Sequence, residues 1–273
     1  MKRLFKIEWL KSWPSRYFRI MLGIWFLAFI GLPIGFKLFL MYIESNGFSL
    51  DQIPGLTATD LPIFDFVDLW QNLTYAYKGI SIFLGILIII NITNELDYKT
   101  FRQNVIDGMS KTEFLLSKFM LVFGLATAAT ILVFIMGLIV GYSASPVTDW
   151  SSISKHINFL GAYLLHILVF LTLCVLLSIL IKRAGMAIAI LLFWMFVLEP
   201  ILSAFLYYNF HFEVLANMLP MEAHWSLIPR PIEKYALRET IFWVSFKSVA
   251  IAIAELGVYI SACWLLIVKR DIR

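Results

Sequence analysis

Charge is scarce in this chain. Asp, Glu, Lys and Arg make up only 15% of its 273 residues, while hydrophobic residues make up 61%. A soluble domain needs more charge than that to cover its surface. Cysteine is nearly absent: Cys174 and Cys263 are the two in the chain, and both fall inside apolar runs. They read as small buried hydrophobes, which excludes a disulfide framework and a thiolate metal centre. The chain contains no G-x-x-x-x-G-K-[ST] phosphate loop, so ATP hydrolysis by that route is excluded. Internal repeats and low-complexity tracts are missing too. No segment is long and polar enough to form a separate soluble domain.

What is present is a series of apolar runs, each long enough to cross a hydrocarbon core of about 30 Å as a helix. They predict an all-α polytopic membrane protein, a single transmembrane domain over 1–273. Six spans are expected at about 18–41, 74–93, 113–141, 158–182, 184–207 and 245–268. Met1-Lys2-Arg3 resembles the basic start of a signal peptide. The apolar run begins only near Phe18 with no small-residue cleavage site after it, so the segment is expected to be retained.

The formal net charge of +4 sits in short loops, and topology explains it better than nucleic-acid binding. The N-terminal segment, the 94–118 segment, Lys182-Arg183 and the ending Lys269-Arg270-Asp271-Ile272-Arg273 are basic. The 42–73 loop carries Glu44, Asp51, Asp60, Asp65 and Asp68 and no basic residue, and the 142–157 loop has only Lys155. This alternation predicts both termini in the cytoplasm. The 208–244 loop departs from it with Arg230, Lys234 and Arg238, accompanied by four glutamates.

Residues 1–17 pair basic side chains with Leu4, Ile7, Phe5, Trp9 and Trp13 at helical spacing. That predicts an interfacial helix stopped or kinked by Pro14; the alternative is a disordered basic tail. The 208–244 loop is too apolar for a solvated linker, and Pro220, Pro229 and Pro231 cut it into pieces. Two short helices on, or dipping into, the outer leaflet are expected there.

The polar segment after span two is the most informative. Asn94 can cap a helix, with Glu95 and Asp97 in its first turn. Tyr98, Phe101, Val105 and Met109 form an apolar stripe, and Gly108 is a natural helix stop. Ser110-Lys111-Thr112-Glu113 has capping-box spacing and opens span three. The segment therefore reads as a helix over 94–109 lying on the cytoplasmic surface. It either docks a partner or only shields the loop.

These residues carry a family resemblance. Glu95, then Lys99-Thr100-Phe101-Arg102-Gln103, then Gly108-Met109-Ser110-Lys111 and Phe114-Leu115-Leu116-Ser117-Lys118, is similar to the E…(G/K)T-x-R…(S/T)-(R/K)-x-x-(F/E)…K pattern of type-2 ABC-transporter permeases, most closely the Bacteroidetes-like versions. The Val268-Lys269-Arg270-Asp271-Ile272 ending and the whole layout resemble that family too. Many of its members have Gly where Lys99 stands.

The resemblance implies that 94–109 is a coupling helix seated in a separate ABC-type ATPase subunit, which would hold ATP and Mg. This chain would bind no cofactor of its own. Glu95, Lys99, Phe101, Arg102, Gln103 and Val105 are the implied coupling residues. It also implies a second permease copy or a paralogue, a bacterial inner-membrane location, and export or extrusion of an amphipathic or lipid-linked substrate.

Three ionisable residues fall inside the spans: His166, Glu199 and Glu255. Such groups are costly in a bilayer and are functional candidates by default. All three fall roughly 12–15 Å from the outer boundary at helical rise. They could share one cavity with His166 paired to a carboxylate, or serve as bonds between helices, with Glu199 in the interface. Glu199-Pro200 marks an expected break in span five. A membrane-embedded enzyme or an ATP-independent proton-coupled carrier using these residues is the competing function. No catalytic motif and no metal-ligand spacing accompanies them.

Overall fold

A computed structural model describes residues 2–46, 62–97, 103, 106, 108–210, 212–231 and 243–268. The described residues are helical, with no strand among them. The order is α1 (Lys2–Ser12), α2 (Arg16–Ser45), a 3-10 turn (Pro62–Phe64), α3 (Phe66–Asp97), α4 (Lys111–Ala144), α5 (Trp150–Ile153), α6 (Asn158–Ile181) and α7 (Ala184–Phe193). A π-turn (Trp194–Leu198) leads into α8 (Glu199–Phe210), followed by α9 (Glu213–Ala216), α10 (Pro220–Trp225) and α11 (Phe246–Val268). Six segments are long and apolar enough to cross a membrane: α2, α3, α4, α5–α6, α7–α8 and α11. The expected fold class is therefore observed. The second span is longer than its hydropathy suggests, because α3 begins at Phe66 and takes in the polar residues Asp68 and Gln71.

α3 and α6 form the buried centre, and α2, α7–α8 and α11 lie at the periphery with most of their surface outward. Without a hydrophobic drive between helices in lipid, close approach depends on small residues and shape. Gly85 on α3 meets the Phe170 ring of α6, where a Cβ would fall 2.7 Å from a ring carbon. Gly137 on α4 gives the Trp70 ring its place in the same way. The Trp70 indole N–H then donates to the Ile153 carbonyl at 2.7 Å, tying α5 to the bundle.

Two prolines inside spans show how freed backbone groups are handled. Pro33 lies within α2 and has no N–H for the Phe29 carbonyl one turn earlier. The Tyr77 hydroxyl of α3 donates to that carbonyl at 3.1 Å, with its ring stacked on Phe29 at 4.4 Å. Pro200 is met differently. The helix widens into the π-turn Trp194–Leu198 just before it and continues as α8. Span five is thus bulged at the expected place, not broken.

Local signals set the turn between α3 and α4. Gly108 has φ +96°, the left-handed region open to glycine. Ser110 and Glu113 form the full capping box that starts α4: the Ser110 hydroxyl accepts from the Glu113 amide at 3.1 Å, and the Ser110 amide donates to the Glu113 carboxylate at 2.8 Å. The turn between α6 and α7 uses Lys182 in the left-handed conformation at φ 58°.

Candidate functional site

The bundle carries a polar cluster at each end. The first joins α1 to the ends of α3 and α4. Lys118, 1% exposed, places its ammonium 2.8 Å from Glu8 Oε2 and 2.7 Å from Glu95 Oε1. Lys11 reaches the same Glu95 oxygen at 3.2 Å, so two cations and two carboxylates balance. The Ser117 hydroxyl donates to Glu8 Oε1 at 2.9 Å, and the Asn91 amide donates to the Ser12 hydroxyl at 2.8 Å. α1 thus turns Glu8 and Ser12, spaced i, i+4, towards the bundle and leaves Trp9 and Trp13 stacked and exposed at 5.3 Å. Its buried face is polar and its aromatic face is outward, which suits an interfacial helix.

This geometry bears on the coupling residues expected from sequence. Glu95 is turned inward and engaged within the chain by Lys118 and Lys11. Gln103 is helical and exposed. Ile106, also helical, is 79% exposed, a large apolar side chain facing outward. Lys99, Phe101, Arg102 and Val105 lie outside the described residues.

The second cluster surrounds α10, six residues inserted between the spans at the end remote from α1. Glu199 of α8 accepts from the amides of Met221 at 2.5 Å and Glu222 at 2.7 Å, and from the Trp194 indole. It caps the first free amides after Pro220, where a helix start attracts an anion. Lys78 of α3 donates to the carbonyls of Trp225 at 3.0 Å and Ile228 at 3.1 Å, with its ammonium over the Tyr75 and Trp225 rings. Gln71 donates to the Pro229 carbonyl at 3.2 Å.

Between these ends sits His224, wholly buried. Its ring lies 5.0 Å from that of His166 on α6, and its Nδ1 lies 3.7 Å from Glu255 Oε2 on α11. His166 Nδ1 is 3.3 Å from the His224 carbonyl. A carbonyl only accepts, so the neutral His166 ring carries its proton on Nδ1. Glu255 Oε1 accepts from the Tyr259 hydroxyl. Burial without a full counter-charge pushes His224 down to about 3, so its ring is neutral.

The three intramembrane candidates therefore gather around one element but do not pair with one another. His166 bonds the His224 carbonyl rather than a carboxylate, and Glu199 binds backbone amides rather than lining a shared cavity. Counted at about 1.5 Å per residue, Lys78, Glu199 and Glu255 lie about 14–18 Å inside their helices. α10 thus dips into the bundle and does not lie flat on it.

A family model described as a protein of unknown function (DUF2705) matches residues 20–273. The chain belongs to this family. The match covers all six spans, the α10 cluster, and Lys118 and Glu95 of the first cluster, while α1 with Glu8 precedes it. A search of the curated proteins gave no match.

Sequence reasoning missed Glu8, Lys118, Lys78, His224 and Tyr259. The signals existed for some of them. Glu8 and Ser12 share one face of α1, and Lys78 falls inside the expected second span, one turn from its start. His224 carried no signal, because a histidine in a short irregular loop is ordinary.

No three His, Cys, Asp or Glu residues among those described could hold a metal ion together. Glu199 is taken up by the Met221 and Glu222 amides and the Trp194 indole. The arrangement holds α10 at both of its ends.

Proposed function

We propose that this chain is the membrane-spanning permease subunit of an ATP-driven ABC transporter. The observation that supports the reading most is the element between α3 and α4. It has an exposed apolar residue, Ile106, beside exposed Gln103. Its two ends are fixed, by Glu95 on Lys118 before it and by Gly108 and the Ser110–Glu113 capping box after it. An outward apolar side chain between the end of α3 and the capped start of α4 can pass a push from a docked partner into α3, α4 and α1. The chain's resemblance to type-2 permeases points the same way.

In this reading the partner is an ABC-type ATPase holding ATP and Mg, and a second permease copy or a paralogue completes the membrane part. The protein resides in a bacterial inner membrane with both termini cytoplasmic, and it exports or extrudes an amphipathic or lipid-linked substrate. The α10 cluster then faces the outer side, where a release gate belongs.

The test is co-purification with the phosphate-loop ATPase encoded by an adjacent reading frame. Ile106→Asp and Arg102→Glu should each weaken the complex at least tenfold while the permease still assembles. Undiminished complexes in both variants, or no such ATPase bound, would remove the reading.

A further inference from the structure

We propose that Glu255 and His224 form a proton-binding site that latches α10 into the bundle, the seated state being the one in which Glu255 holds a proton and His224 does not. The proton is taken from solvent onto Glu255 Oε2 and points at His224 Nδ1; no other bond changes.

The geometry carries this in three steps. Glu255 Oε2 is buried without a hydrogen-bond partner, and the nearest ring nitrogen is 3.7 Å away, a gap that a small side-chain rotation closes. A buried carboxylate lacking a donor on one oxygen is costly, whereas the neutral acid can donate an O–H to a bare imidazole nitrogen. No fixed counter-charge among the described residues is aimed at Glu255. Among the cations packed on α10, Lys78 is spent on the Trp225 and Ile228 carbonyls, and Arg230 lies beyond them on the chain.

The other facing groups leave the proton with this pair. From α8, Glu199 is held by two amides and an indole. From α6, His166 already donates to the His224 carbonyl, and the Tyr163 hydroxyl is buried without a partner. From α11, Tyr259 donates to the other Glu255 oxygen. Glu222 on α10 is half-buried, its amide held by Glu199. Removing the proton leaves a charge between α10 and α11. Water then draws the carboxylate out, and α10 loses its contact with α11.

Two methionines beside the site report on it. Met221 in α10 is 5% exposed and Met218 just before it is 58% exposed. The full chain in nanodiscs, without any ATPase or nucleotide, is oxidised briefly by hydroxyl radicals at pH 6.5 to 9. The Met221/Met218 oxidation ratio is read by mass spectrometry. It should rise threefold or more with pH in the wild type and stay flat and low in Glu255→Gln, which is uncharged at every pH.

A flat wild-type ratio, or the same rise in Glu255→Gln, overturns the latch. If Glu255→Gln does not assemble, Tyr259→Phe decides. That variant removes a donor to the carboxylate, so the rise must begin at higher pH, and an unmoved midpoint overturns the proposal. Neither result depends on the transporter reading, which is tested separately by complex formation.

Discussion

Glu199 and Lys78 hold opposite ends of the same six-residue helix: the carboxylate takes the amides of Met221 and Glu222, and the ammonium takes the carbonyls of Trp225 and Ile228. So short a helix cannot hold itself together in isolation, since its nucleation costs more than its few bonds return. Here two spans supply the missing partners for its ends. α8 thus holds the start of α10, and α3 holds its end. Any motion that spreads them removes one cap.

Lys78→Met should free α10. Two carbonyls lose a charged donor, each such bond contributing about 1.5–3 kcal/mol. Amide exchange across 220–228 should speed by two or more orders of magnitude, while exchange in α6 stays unchanged. Equal protection of 220–228 in the variant and the wild type would show that the clamp is not needed.

Lys118→Met should destabilise the whole bundle. It strips a buried cation from Glu8 and Glu95, and removing one partner of a buried ion pair costs about 3–5 kcal/mol. Thermal unfolding in detergent should shift down by several degrees. Adding Glu8→Gln should recover part of the loss, because one of the stranded charges is gone. A double variant no more stable than Lys118→Met would contradict the coupling between α1 and α4.

Tyr77→Phe should cost about 1–3 kcal/mol, the penalty of a buried carbonyl left without its donor. The cost should shrink when combined with Pro33→Ala, because that substitution restores a backbone amide to the Phe29 carbonyl within α2. Unfolding midpoints of the four proteins in this cycle give the coupling. Simple additivity would mean that the Tyr77 hydroxyl does not serve the proline gap.

Acid should loosen α10 through His224 in Glu255→Gln. The folded ring is held down to about 3, while an exposed imidazole titrates near 6.5. Between those values the open ring binds an extra proton; in the wild type the proton on seated Glu255 offsets it down to the ordinary carboxylate range, so it is in Glu255→Gln that the seated state loses stability as pH falls below about 6.5. The slope is at most about 1.4 kcal/mol per pH unit. Oxidation of Met221 relative to Met218 in Glu255→Gln should therefore rise towards pH 4, and adding His224→Gln should abolish that acid limb. An acid limb that survives His224→Gln would assign it to another group.

The number and order of the spans were legible in the sequence. Lipid offers backbone groups no partners, so each crossing must be a self-satisfied apolar helix, and that shows directly as hydropathy. The turn at Gly108 and the Ser110–Glu113 capping box were legible for a similar reason: their partners lie within a few residues. The place of the irregularity before Pro200 was legible from proline's missing donor, but a break was expected there and a π-turn is found.

Only the tertiary structure decided where the polar side chains point. Glu8 and Lys118 are 110 residues apart, and nothing local to either selects the other. Glu95 looked as available for a partner protein as Gln103 does, until the packing of α1 turned it inward. His166, Glu199 and Glu255 could be named as costly residues in a membrane, because burial energy depends on residue type and depth. What satisfies His166 and Glu199, and what Glu255 faces, is a six-residue helix with no hydropathy signature, and its seat is fixed by where α3, α6, α8 and α11 leave room.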